Sequence, residues 1–114
     1  MPDPAQIVRQ SLLTAPMDNE PQVERVEVVR IELPPAQAAG LHLHPCPVVG
    51  CVISGAIRFQ VAGEPRLTLQ AGDAFLEPAN VEIVHFDNAS DEVPATFIAY
   101  YLLPPGEDRL IVML

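Results

Sequence analysis

Proline and glycine turn signals divide this chain into pieces too short for most helices, and they constrain its fold more than any other feature. They fall at Pro34–Pro35, Pro45–Pro47, Ser54–Gly55, Ala62–Gly63, Ala71–Asp73, Pro78–Asn80, Asn88–Asp91 and Pro104–Gly106. Each type acts differently: glycine accepts backbone angles other residues avoid, proline presets φ, and Asn or Asp bonds its own backbone. The runs between are rich in β-branched and aromatic residues, the composition of a pleated, half-buried strand. Strands are predicted at Val23–Leu33, Val48–Ile53, Ala56–Val61, Arg66–Leu69, Ala74–Glu77, Val81–Asp87 and Ala95–Leu103, with a further one over Arg109–Leu114. The fold class is all-β.

Period-two alternation assigns faces where it is clean. Ile57, Phe59 and Val61 oppose Arg58 and Gln60, and Leu67 and Leu69 oppose Arg66, Thr68 and Gln70. By the same rule Val81, Ile83 and His85 share a face, against Glu82, Val84 and Phe86. The run from Phe97 to Leu103 is apolar on both faces, and the tail Leu110–Leu114 is apolar throughout. Such surfaces need cover. A homodimer would supply it, or the tail and the first residues could close over the domain. Residues 1–22 read as an N-terminal arm, either a short helix from Asp3–Pro4 through Leu13 or a segment that pairs as a strand. Residues 23–114 form the domain proper.

A length of 114 residues allows one core, and 49% hydrophobic content excludes a disordered class. The net charge of −9 opposes binding to nucleic acid or an anionic membrane surface. No apolar run is long enough to span a bilayer. Met1–Pro16 lack the basic start, apolar stretch and cleavage site of a secretory signal, which points to the cytoplasm. Cys46 and Cys51 are accordingly expected as reduced thiols.

His42 and His44 carry the strongest chemical signal. On an extended backbone residues i and i+2 face the same way, so both imidazoles can reach one cavity and share a metal. Imidazole suits Zn, Cu, Fe and Ni. The same spacing also fits a hydrogen-bonded or surface pair. Cys46, set between two prolines, offers a soft ligand or a plain thiol.

Leu33 to Leu103 resembles a small single-domain cupin, a double-stranded β-helix barrel. The resemblance rests on Pro34–Pro35, the "GLHLHP" histidine pair, "GCVISG" ending at Gly55, "AGDAF" at Gly72–Asp73, and "EPAN" leading into a strand that reaches Asn88. In that pattern two histidines and a glutamate from a first motif, with one histidine from a second, surround a metal inside the barrel. His42 and His44 match the first two positions. The glutamate position is occupied by Val48 and the second-motif histidine position by Ile83. Glu77 could restore the carboxylate or sit on the rim in water. His85, two residues past Ile83, could be a fourth ligand, a base behind the ligands, or a core histidine bonded to Asp87 or backbone. The resemblance implies a divalent transition metal, Fe, Mn, Zn or Ni, and a small-molecule ligand or substrate. Three functions follow: a metal-dependent oxygenase or isomerase; a non-catalytic binding or sensing module whose largely apolar pocket is lined by Val48, Ile83 and Phe or Tyr side chains; or a degenerate barrel with an interaction role only.

Overall fold

The computed structural model describes residues 6–17 and 22–114. Among these, nine strands form: β1 (Arg25–Leu33), β2 (His42–Leu43), β3 (Val48–Ser54), β4 (Ala56–Val61), β5 (Leu67–Gln70), β6 (Ala74–Glu77), β7 (Ile83–Asn88), β8 (Ala95–Leu103) and β9 (Val112–Met113). They build a four-stranded sheet in the order β1-β8-β3-β6 and a five-stranded sheet in the order β5-β4-β7-β2-β9. All the pairings are antiparallel. Two sheets face each other because each alternates apolar and polar residues and must bury its apolar face. The expected start of an arm helix at Asp3–Pro4 lies outside the described residues, and residues 6–17 take no helix or strand.

The chain changes sheets between β3 and β4 at Gly55, whose φ of +79° is costly for any residue with a Cβ. A Cβ there would also lie 2.8 Å from the Pro94 carbonyl oxygen. Gly50 serves packing instead: a side chain at that position would overlap the ring of Phe75, its partner across the β3–β6 ladder. Phe75 then meets Phe59, Phe86 and Phe97 at centroid distances of 5.8, 5.2 and 6.0 Å. These tilted and edge-on contacts add to the burial of large apolar rings. Buried Asn88 anchors the far end, donating through Nδ2 to the carbonyls of Leu33, Pro34 and Val93 while its Oδ1 accepts from the Ser90 amide.

β7 departs from simple alternation. Gln60 of β4 pairs with His85, but Val61 pairs with Ile83, so Val84 is an extra, unpaired residue. Such a bulge shifts the side-chain phase by one. Ile83, Phe86 and Asn88 therefore point inward, and His85 and Asp87 point outward. The sequence expectation that His85 shares the inward face of Ile83 is corrected on this ground.

The tail is also resolved. β9 pairs with β2 through His42–Met113 and Leu43–Val112, and the Leu114 amide donates to the Leu41 carbonyl. The tail thus closes on its own chain, while Ile7 and Val8 of the arm remain 78% and 88% exposed. On the outer face of the four-stranded sheet, Val28, Tyr100, Val49 and Leu76 lie in one row across its strands. Val28 and Tyr100 in that row are exposed.

Candidate metal centre

His42 and His44 flank Leu43 and turn inward together, as their spacing requires. Their rings lie edge to face with centroids 4.9 Å apart. Each ring is held by a backbone carbonyl: His42 Nδ1–H donates to Gly40 at 2.6 Å and His44 Nδ1–H to Leu110 at 2.7 Å. This fixes the tautomer and leaves both Nε2 atoms facing Glu77. Glu77 Oε2 lies 3.0 Å from His44 Nε2 and 3.7 Å from His42 Nε2. The first is a hydrogen-bond distance, met when Nε2 also carries a proton to donate to the carboxylate, and without that proton Nε2 presents a lone pair. The second is too long for a hydrogen bond, and its attraction is electrostatic. One ligand atom from each of the three residues falls within a 4.8 Å cluster.

All three are almost fully buried. Burial favours a neutral Glu77, but the two histidines outweigh it and hold its carboxyl below the ordinary range. Burial likewise pulls the His42 pKa down, and the Glu77 carboxylate and Gly40 carbonyl lift it above its usual value. A buried carboxylate beside two histidines is thereby kept in its anionic, ligating form.

The cluster forms the polar pole of a cavity of about 110 Å³. The rest of the wall is Ile31, Leu33, Ala39, Phe86, Phe97, Ala99 and Ile111, with Tyr101 beside the histidines. Tyr101 stacks edge-on against His44 at 5.6 Å. Burial first, then the Glu77 charge, raises its pKa to about 12, so its hydroxyl stays protonated. A wider depression of about 400 Å³ near Arg58 and Asp87 is open to solvent.

The sequence-predicted residues separate clearly. His42, His44 and Glu77 come together; His85 does not, its Nδ1 being 2.8 Å from Asp87 Oδ2 and its side chain 36% exposed. Val48 and Ile83, expected to line the pocket, are fully buried core and are absent from the cavity wall. Each instead stands across a ladder from a cluster member, Val48 opposite Glu77 and Ile83 opposite His42. Cys46 is buried but outside the cluster, and no disulfide joins it to Cys51. Sequence reasoning did not single out Tyr101, although it stands as the one polar-tipped aromatic on the apolar face Phe97, Ala99, Tyr101 and Leu103. The Gly40 and Leu110 carbonyls have no side-chain signal at all.

The chain belongs to the cupin family, since a cupin-domain model matches residues 29–101. Among solved structures, it is similar to an oxalate oxidase in complex with the substrate analogue glycolate, at 20% identity and TM-score 0.66, covering 78% of this chain and 46% of that one. It is similar also to the DMSP lyase DddQ of Ruegeria pomeroyi, at 18% identity and TM-score 0.65, covering 77% of this chain and 42% of that one. A cupin-like protein of Thermotoga maritima matches at 22% identity and TM-score 0.64, covering 78% of this chain and 64% of that one. The chain therefore spans under two thirds of each. No curated protein matches it. At these identities the likeness shows the fold. Among the described residues, no helix is long and apolar enough to cross a membrane.

Proposed function

We propose that His42, His44 and Glu77 hold a divalent transition metal, Fe, Mn, Zn or Ni, and that a small organic molecule binds beside it in the barrel. The observation that carries this reading is the buried cluster itself: two imidazoles with anchored Nδ1–H groups and one carboxylate, with a ligand atom of each within 4.8 Å. Two histidines and one carboxylate suit a metal that keeps open positions. When bound, it would supply Lewis acidity for an oxygenase or isomerase. The chain's own residues do the rest. Gly40 and Leu110 orient the imidazoles, Tyr101 offers a hydroxyl donor beside the site, and Phe86, Phe97 and Leu33 exclude water from the remaining wall.

The apolar wall also supports a second reading, a binding or sensing module without catalysis. Metal analysis separates the two. Protein purified without chelators or a nickel column should carry, or take up on titration, about one equivalent; under a tenth of an equivalent, together with binding of an apolar probe, would favour the second reading.

The active form is read as a cytoplasmic homodimer of a barrel spanning residues 23–114 with an arm at 1–22. Support comes from two uncovered apolar surfaces, the arm side chains Ile7, Val8, Leu12 and Leu13 and the sheet face around Val28 and Tyr100. The arm of a second copy is the occupant proposed for that face. Light scattering at micromolar concentration should exceed the 12.4 kDa chain mass, and a monomeric mass would refute the dimer.

A further inference from the structure

The cavity beside the cluster is polar at one pole only. We propose that it selects a compact ligand with a single oxygen-donor head at the histidine–glutamate pole and an uncharged apolar tail, and that it rejects ligands with a second charged group. This rests on the metal reading above.

The argument comes from the wall. Beyond His42, His44, Glu77 and Tyr101, the described lining residues are all aliphatic or aromatic, Leu33, Phe86, Phe97 and Ile111 among them. No Lys, Arg, Asn, Gln, Ser or Thr stands among them to receive a second polar group. A tail bearing an ammonium, hydroxyl or carboxylate would be desolvated without a partner, which is strongly unfavourable. Size adds a limit: about 110 Å³ is smaller than the cavities of about 150 Å³ that accept benzene, so about four to six heavy atoms fit. The head belongs at the other pole. A divalent ion with one carboxylate ligand leaves net positive charge for an oxygen donor, and the Tyr101 hydroxyl can donate to the same group.

Butyrate, 3-hydroxypropionate and β-alanine test this directly, for they share a carboxylate and heavy-atom count and differ only in a terminal methyl, hydroxyl or ammonium. Zinc uptake is first measured by elemental analysis, and each acid is then titrated calorimetrically into zinc-loaded protein at one ionic strength. Butyrate should bind at least tenfold more tightly than β-alanine, with 3-hydroxypropionate between them. The order runs against the bulk field, because the net charge of −9 favours the zwitterion over the anion. Placing a carboxylate at the partly exposed rim with Ile111→Glu should narrow the ratio by severalfold. Zinc uptake with β-alanine binding as well as butyrate, or with neither binding, overturns this inference alone; no zinc uptake overturns the metal reading and this inference with it.

Discussion

The barrel has two unlike halves. Where β4, β6, β7 and β8 face one another, four phenylalanines pack ring against ring between the sheets. Toward β1 and β2, with Glu77 reaching in from the end of β6 and Ala99 and Tyr101 from the second half of β8, the same two sheets enclose a cavity with a buried charged cluster at one pole. Phe86 and Phe97, with centroids 4.7 Å apart, stand between and belong to both. The contrast teaches a division of labour. Buried, closely packed rings contribute stability; desolvated ionisable groups cost stability unless paired, and their retention points to a ligand.

The comparison breaks most completely at the cluster. Changing His42 and His44 together to Ala should abolish metal uptake, read by elemental analysis, while β-sheet circular dichroism stays unchanged because the filled half is untouched. Next in size is the converse. Phe75→Ala should destabilise the fold by about 3–5 kcal/mol in urea denaturation. Metal uptake should persist in that variant under native conditions; if both substitutions removed both properties equally, the two halves would not be separable.

Acidity sharpens the contrast, because only the hollow half titrates in the core. Glu77 has a folded pKa below its unfolded value, so its contribution is present above about pH 4.5 and is lost as pH falls through the folded pKa. His42 has a folded pKa above 6.5, so its contribution is complete below 6.5 and is lost as pH rises through the folded value. Metal-free protein should therefore be most stable between about pH 4.5 and 6.5 and weaken toward pH 8. Metal reverses the upper limb, since it binds neutral imidazole. Thermal melts from pH 4 to 8, with and without zinc, check both limbs.

The smallest effect is expected at His85. His85→Ala removes a half-buried pair with Asp87 on the outer face, worth about 1 kcal/mol, and should leave zinc affinity unchanged. A tenfold or greater loss of zinc affinity in that variant would show that the ring turns inward in solution.

Much of the fold was legible from local patterns. Ala56–Val61, Ala74–Glu77 and Ala95–Leu103 are strands with the expected bounds, because clear turn residues end each run. β2 was not legible as a strand, being two residues whose pairing depends on β7 and β9. The histidine pair could be read because the period is local. The phase of His85 could not, because a bulge is a mismatch between β4 and β7 and neither strand announces it alone. Glu77 was readable only as an alternative, since nothing near it in sequence reports that β6 pairs beside β3.

Val48 and Glu77 occupy one rung of that ladder, with a consequence for how such sites change over time. A carboxylate that leaves position 48 and reappears at position 77 has moved about a quarter of the chain's length in sequence, yet across the rung it has moved only about 5 Å. Two mutations, neither an insertion nor a rearrangement, make that exchange. Linear patterns would score it as the loss of a site, although in space the donor has stepped sideways to the neighbouring strand. Reciprocal substitution, Val48→Glu with Glu77→Val, would retrace the step and show whether the barrel accepts its carboxylate from either side of the rung.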